Sequence, residues 1–99
     1  MKLPRDLFLG FVKLHILYHA GREDVYGLWL IEELAHHDYR LSPGTLYPIL
    51  HGLEEEKLLV SDVRVVEGKA RKYYRLTRAG RNALEECKNK AQELLEELQ

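Results

Sequence analysis

The chain has 99 residues, 45% of them apolar, which suffices for one small domain but is marginal for a lone monomer, so self-association would help it. No apolar run approaches the length of a membrane span, Met1-Lys2-Leu3-Pro4-Arg5-Asp6 lacks a signal peptide's apolar stretch, and the single cysteine, Cys87, rules out an internal disulfide framework, so a cytoplasmic protein with no membrane partner is expected. The net charge of −1 argues against nucleic acid until its distribution is read: Lys69, Arg71, Lys72, Arg75, Arg78 and Arg81 follow one another without an acid, whereas residues 82–99 set Lys88 and Lys90 against Glu85, Glu86, Glu93, Glu96 and Glu97, a balance of −3.

Leu7, Phe8, Phe11, Leu14, Ile16, Leu17 and Tyr18 recur at helical spacing and predict a first helix over residues 4 to 19, ended by Ala20-Gly21. Its apolar face is wider than one neighbour can cover, so it is expected to touch both its own core and a partner chain. His15 and His19 stand one turn apart, a spacing that can bring two imidazoles to one metal, but no third ligand is evident, and they are expected as surface or interface histidines with no metal. Asp24 is suited to cap a second helix from Val25 to about His36, with Leu30, Ile31 and Leu34 facing inward.

The stretch from Leu41 to Leu58 carries most of the functional signal. Ser42 suits an N-cap and Pro43 the first helical position, where no amide partner is needed. Leu46, Leu50, Leu53 and Lys57 follow at helical spacing, which turns Gly44, Thr45, Tyr47, Pro48, His51 and Gly52 outward. Glycine and proline are poor helix formers, and Pro48 forfeits the bond to the Gly44 carbonyl at roughly 3 kcal/mol, so this face is read as shaped for close approach to a ligand. The helix N-terminus, with its unpaired N–H groups, suits a phosphate. Helix, short turn and helix with such a face is the arrangement that enters the major groove. No Arg, Asn or Gln stands on the face, so sequence discrimination is expected to be modest or to rest partly on DNA shape. Glu54-Glu55-Glu56 reads as a solvated face.

Leu58 to Val66 is rich in β-branched residues, Ala70 to Leu76 alternates, and Glu67-Gly68-Lys69 between them is a turn, which together predict a β-hairpin wing. Lys69, Arg71 and Lys72 are placed to neutralise phosphates, while Tyr74 and Leu76 pack inward. Thr77 then caps a last helix in which Leu84, Cys87, Ala91, Leu94 and Leu98 keep a 3-4-3-4 spacing, a short coiled-coil seam. Two heptads are too few to dimerise alone, so the first helix must join the contact through Phe8 and Phe11. A seam lying merely on its own domain is the monomeric alternative, and Cys87 is read as a packing residue before a redox sensor.

Leu41-Ser42-Pro43-Gly44-Thr45-Leu46-Tyr47-Pro48-Ile49-Leu50-His51-Gly52-Leu53-Glu54, with Tyr26-Gly27 before it and Gly68-Lys69-Ala70-Arg71-Lys72-Tyr73-Tyr74-Arg75-Leu76-Thr77 after it, resembles the PadR family of transcriptional regulators over about residues 5 to 80. The resemblance implies a mostly α fold with a small β-hairpin: a winged helix-turn-helix DNA-binding domain over 1–76 and a C-terminal dimerisation helix over 77–99, in one compact unit. It further implies a homodimer on operator DNA, often released by a small ligand. In the family the tyrosine of the Tyr-Gly pair lies near the DNA backbone, so Tyr26 is a candidate contact; a core tyrosine beside a small packing residue is the alternative. Leu28 and Trp29 depart from the family's usual aromatic and acidic residues. Family members with drug pockets stack flat ligands on a tryptophan of the last helix, so Trp29, on the second, is a ligand candidate by ring chemistry and not by position.

The expected function is a sequence-specific DNA-binding regulator, a homodimeric repressor of a near-palindromic operator, released by a small aromatic effector and needing no cofactor. Its expected DNA-binding residues are Tyr26, Ser42, Gly44, Thr45, Tyr47, Pro48, His51, Lys69, Arg71 and Lys72. A winged-helix protein-interaction module without duplex affinity is the alternative. No nucleophile–base set or paired carboxylates point to an enzyme.

Overall fold

In a computed structural model, which describes residues 2–99, the chain runs α1 (Arg5–Arg22), β1 (Val25–Tyr26), α2 (Gly27–His36), α3 (Pro43–Glu55), β2 (Leu59–Val66), β3 (Lys69–Leu76) and α4 (Arg78–Leu98). Met1, the first residue of the expected 1–76 unit, lies outside the described residues. The strands form one antiparallel sheet in the order β1-β3-β2. Val12, Ile16, Leu17 and Ala20 of α1, Leu30 and Leu34 of α2, and Leu46, Leu50 and Leu53 of α3 make a buried core, which Val25, Leu59, Tyr74 and Leu76 close on the sheet side. Each large apolar side chain buried there contributes about 1.5–3 kcal/mol relative to leaving it in water.

Two expected boundaries move. Val25 and Tyr26 do not begin a helix: Val25 is buried and pairs with Tyr74, and Tyr26 pairs with Tyr73, so a β-branched and an aromatic residue add a third strand to the hairpin. Asp24 therefore caps nothing and is held instead by the Arg64 guanidinium. α1 runs on past Ala20-Gly21 to Arg22, because Gly21 is the point where Leu76 packs onto the helix, with no room for a side chain, and not a stop signal.

α3 begins and ends as its termini dictate. The Ser42 carbonyl accepts from the N–H groups of Thr45 and Leu46, both at 3.0 Å, but the Ser42 hydroxyl lies 3.4 Å from Thr45 Oγ1 and caps no backbone N–H, contrary to expectation. The helix continues unbroken through Pro48. Lys57, which keeps the helical spacing of the three leucines, has instead left the helix: it sits at φ 64°, its N–H bonds the Glu54 carbonyl, and the Leu58 N–H reaches back to Leu53, both at 2.9 Å, which closes the last turn.

The hairpin turns on Glu67 and Gly68 alone, at φ 52° and 78°, a two-residue connection whose twist matches the strands, so Lys69 is the first residue of β3, opposite Val66. Thr77 then joins three elements. Its hydroxyl accepts from the Gly80 N–H at 2.9 Å as the expected cap of α4 and donates to the Lys57 carbonyl at 2.6 Å, while its own N–H bonds the Leu58 carbonyl. α4 stretches the chain to 51 × 30 × 20 Å, and no helix among the described residues is long and apolar enough to cross a membrane.

Where α1 meets α2, five rings gather. His15 lies 5.2 Å from His37 and 4.8 Å from Tyr39, and His19 meets Trp29 edge-on at 5.4 Å. Burial holds both His15 and His19 below the ordinary histidine pKa; His37 adds to this at His15, whereas Glu33 opposes it at His19.

Candidate nucleic-acid interface

Period-two alternation sorts the wing's side chains onto two faces. Lys69, Arg71, Tyr73 and Arg75 of β3 share one face with Arg64 and Asp62 of β2 and with Tyr26 of β1, while Lys72 lies on the other with Tyr74. On the first face the Arg71 guanidinium stands 4.4 Å over the Tyr26 ring, Tyr26 meets Tyr73 at 5.3 Å, and Arg64 stands 4.6 Å over Tyr73. Arginine over an aromatic face is an attraction of about 0.5–1 kcal/mol at such exposed sites, and it fixes the direction of the charge. Asp62 holds this row together, taking Arg64 Nε at 3.0 Å and Arg75 Nη1 at 3.4 Å; the Arg64 hydrogen bond keeps its carboxyl below the usual range.

Tyr26 leads directly into Gly27, which is buried, and a side chain on Gly27 would collide with the Tyr47 ring and hydroxyl. The Tyr-Gly pair thus has a physical account: the glycine lets the helix bearing Tyr47 dock on the start of α2, and the tyrosine carries the wing's arginine. Arg71, Tyr26 and Tyr47 form one connected path from wing to α3. Tyr47 remains 38% exposed.

The other edge of α3 looks a different way. Gly44, Thr45, Pro48 and Gly52 line a groove of about 340 Å³ with Arg5, Leu9 and Lys13 of α1. The two cations were not singled out from sequence, because a lysine or arginine on an exposed helix face is unremarkable until the fold sets it beside α3. Ser42, Gly44, Pro48 and His51 are exposed, and so is Lys69 at the wing tip.

Lys72 separates from Arg71. Its ammonium lies 3.7 Å from Glu54 and 5.6 Å from the Tyr74 ring, and Glu54 also accepts from the Ser61 hydroxyl at 2.6 Å. Glu54 is therefore a tie between α3 and the wing, not part of a solvated face; Glu55 and Glu56 are exposed as expected. Arg64, Asp62, Asp24 and Glu54 are the structural contributors that sequence reasoning missed, since their value is pairing across strands up to 40 residues apart.

Along α1 and α4, Phe11, Leu94 and Leu98 are exposed, as are Cys87 and Ala91, while Leu84 packs against the core and Phe8 is half-buried against Tyr39 at 5.6 Å. A cleft of about 450 Å³ between α1 and α4 is lined by Phe11, Leu14, His15, Tyr18, His19, His37, Leu84, Cys87, Lys88 and Ala91; Trp29 lies behind His19 and does not line it.

The chain is similar to known proteins over nearly its whole length. The transcriptional regulator Rv3488 of Mycobacterium tuberculosis is 56% identical over 94 residues, 95% of this chain and 88% of that one. Solved structures of PadR-type regulators from Eggerthella lenta and Bacillus cereus superpose with TM-scores of 0.83 and 0.84 at 33% and 32% identity, covering 94% of this chain in both cases and 82% and 92% of theirs. The model of the "Transcriptional regulator PadR-like family" matches residues 16–86. With a winged helix-turn-helix built from the motifs that suggested it, this chain belongs to the PadR-like family of transcriptional regulators.

Proposed function

We propose that the chain is a homodimeric repressor that reads a near-palindromic operator through α3 and the wing, and that a small aromatic compound releases it. Its family consists of non-enzymatic regulators that bind DNA and are typically dimeric, which supplies the coarse function. The observation that carries the finer reading is the run of contacts Arg71–Tyr26–Gly27–Tyr47, which links a wing cation to a phenol and, through the buried glycine, to the small-residue helix α3. Arg71, Tyr26 and Ser42 position the duplex through phosphates, Lys69 adds charge at the tip, and Gly44, Thr45, Tyr47, Pro48 and His51 approach the base edges. Lys72, spent on Glu54, contributes less.

Dimerisation is supported by the exposed leucines of α4 and the exposed Phe11 of α1, and release by the cleft between α1 and α4, whose apolar walls and few polar groups suit a flat ring. Trp29 supports the wall behind His19 and is not proposed as the stacking ring. The 77–99 segment acts as the pairing helix, and the two α3 helices read half-sites roughly 34 Å apart.

The test is a gel-shift series of the purified protein on the DNA upstream of its own coding sequence, with unrelated duplex as competitor and candidate phenolic or heteroaromatic compounds added. Specific binding by a dimer, loosened by one such compound, is the expected result. A dimer with no duplex affinity at low salt supports instead the protein-interaction module that the net charge of −1 favours.

A further inference from the structure

The histidines of α1 acquire in the fold what they lack in sequence. His19, Glu33 and His37 each offer a ligand atom, and these atoms lie within 4.8 Å of one another. His37 Nε2 is 3.3 Å and His19 Nε2 4.0 Å from the same Glu33 oxygen, Oε2. Ligand atoms around a tetrahedral zinc stand roughly 3.3–3.6 Å apart, given bonds of about 2.0–2.2 Å, so the three are within a small side-chain adjustment of a ligating arrangement. The plainer account is an internal ion-pair cluster, with Glu33 serving as acceptor for its neighbours, including His36 at 3.9 Å. His19 does not fit it. Its Nε2 is fully buried, has no hydrogen-bond partner and stops 4.0 Å short of the carboxylate, and a buried polar nitrogen left unmatched costs about 1–3 kcal/mol.

We propose that His19 Nε2, the Glu33 carboxylate and His37 Nε2 form a binding site for a divalent transition-metal ion of the zinc class, clamping α1 to the C-terminal end of α2. Two imidazoles and one carboxylate select zinc, nickel or cobalt over calcium or magnesium, which take oxygen donors. Three protein ligands leave a fourth position for water or for His15, whose ring stands 5.2 Å from that of His37. His19 and His37 also line the α1–α4 cleft, so an ion there is reachable from it. The site does not depend on the operator or the aromatic effector, and its test uses neither.

Full-length protein with any affinity tag removed and metal stripped by chelator is titrated with cobalt(II), followed by its visible d–d absorption, and the bound cobalt is then displaced with zinc(II). Wild type is expected to take one ion per chain, with a low-symmetry band and a metal-dependent rise in melting temperature. His37→Ala and Glu33→Gln, both confirmed as folded by circular dichroism, are expected to weaken binding at least about tenfold. His36→Ala, which removes an exposed neighbour outside the triad, is expected to leave it unchanged, and magnesium is expected to give no thermal shift. His37 is half exposed, and His37→Asn serves equally if the alanine variant is unstable. A wild-type protein without the cobalt band or thermal shift overturns the site in favour of the ion-pair cluster. Retention of wild-type affinity by both His37→Ala and Glu33→Gln does the same.

Discussion

The wing with α3 and the face made by α1 with α4 differ in how far they are finished within one chain. On the wing nearly every charge has an internal partner: Arg64 with Asp24 and Asp62, Arg75 with Asp62, Lys72 with Glu54, Arg71 over Tyr26. On α4 only Gly80 is buried, and Leu94 and Leu98 are 55% and 73% exposed in an otherwise acidic, lysine-dotted helix. Exposed ion pairs are individually worth little, so the wing's pairing serves chiefly to aim side chains. The bare leucines of α4 forgo burial worth far more, which is what a surface awaiting a second copy looks like.

Breaking the unfinished face is therefore the severest intervention. Leu94→Glu with Leu98→Glu leaves the monomer core untouched, since neither residue belongs to it, and is expected to convert dimer to monomer in analytical ultracentrifugation. Operator affinity is expected to fall by about 10²–10⁴, the advantage of linked half-site binding. A double variant that stays dimeric would move the contact off α4. Next in size is the joint between α2 and α3. Gly27→Val forces a branched side chain against Tyr47 and is expected to cost about 1–3 kcal/mol in urea unfolding; pairing it with Tyr47→Ala should recover part of that loss, because the clash goes with the ring.

These two sites also show what the sequence could and could not disclose. The Leu46, Leu50 and Leu53 stripe, the Thr77 cap and the inward Tyr74 and Leu76 were legible, because each follows from local spacing or from one capping bond. The Leu84 to Leu98 seam was legible as a pattern, but what covers it is not written in one chain. β1 was invisible: two residues carry no periodicity, and Val25-Tyr26 becomes a strand only when β3 supplies the partner edge. Glu54 hid in a run of three acids, and Asp24 looked like a cap because its use, Arg64, lies 40 residues on. His19 and His37 were both seen, yet nothing in their separation of 18 positions says that α1 and α2 bring them to one carboxylate. The candidate DNA residues were chosen by chemistry; their division into an Arg71 side and a Lys72 side is a consequence of strand alternation.

That division is itself testable. Arg71→Ala is expected to lower the log–log salt slope of duplex binding by about 1, the loss of one phosphate contact. Lys72→Ala is expected to change it by less, and Lys72→Ala with Glu54→Gln to restore the wild-type slope, since the two already neutralise each other. Equal slopes for the Arg71 and Lys72 single variants would mean that the Glu54 tie is released on DNA.

The smallest effect concerns the α1–α2 junction in chelator-treated protein. His15 and His19 have folded-state pKa values held below the ordinary histidine value of 6.5 by burial, with His37 adding to it at His15, and with Glu33 and Glu23 opposing, and His37 and Arg22 assisting, at His19. Well above pH 6.5 both imidazoles are neutral in folded and unfolded chains alike and contribute no pH dependence. As pH falls through 6.5 the unfolded chain takes up protons that the folded chain refuses, so it is the unfolded state that gains, and stability declines until the pH drops below the folded values and the loss levels off. Urea midpoints measured from about pH 7.5 down to about pH 5.5 should fall, and His15→Asn should flatten the decline. A midpoint that rises on acidification would mean that Glu33 outweighs burial and that the histidines gain, not lose, from protonation in the fold.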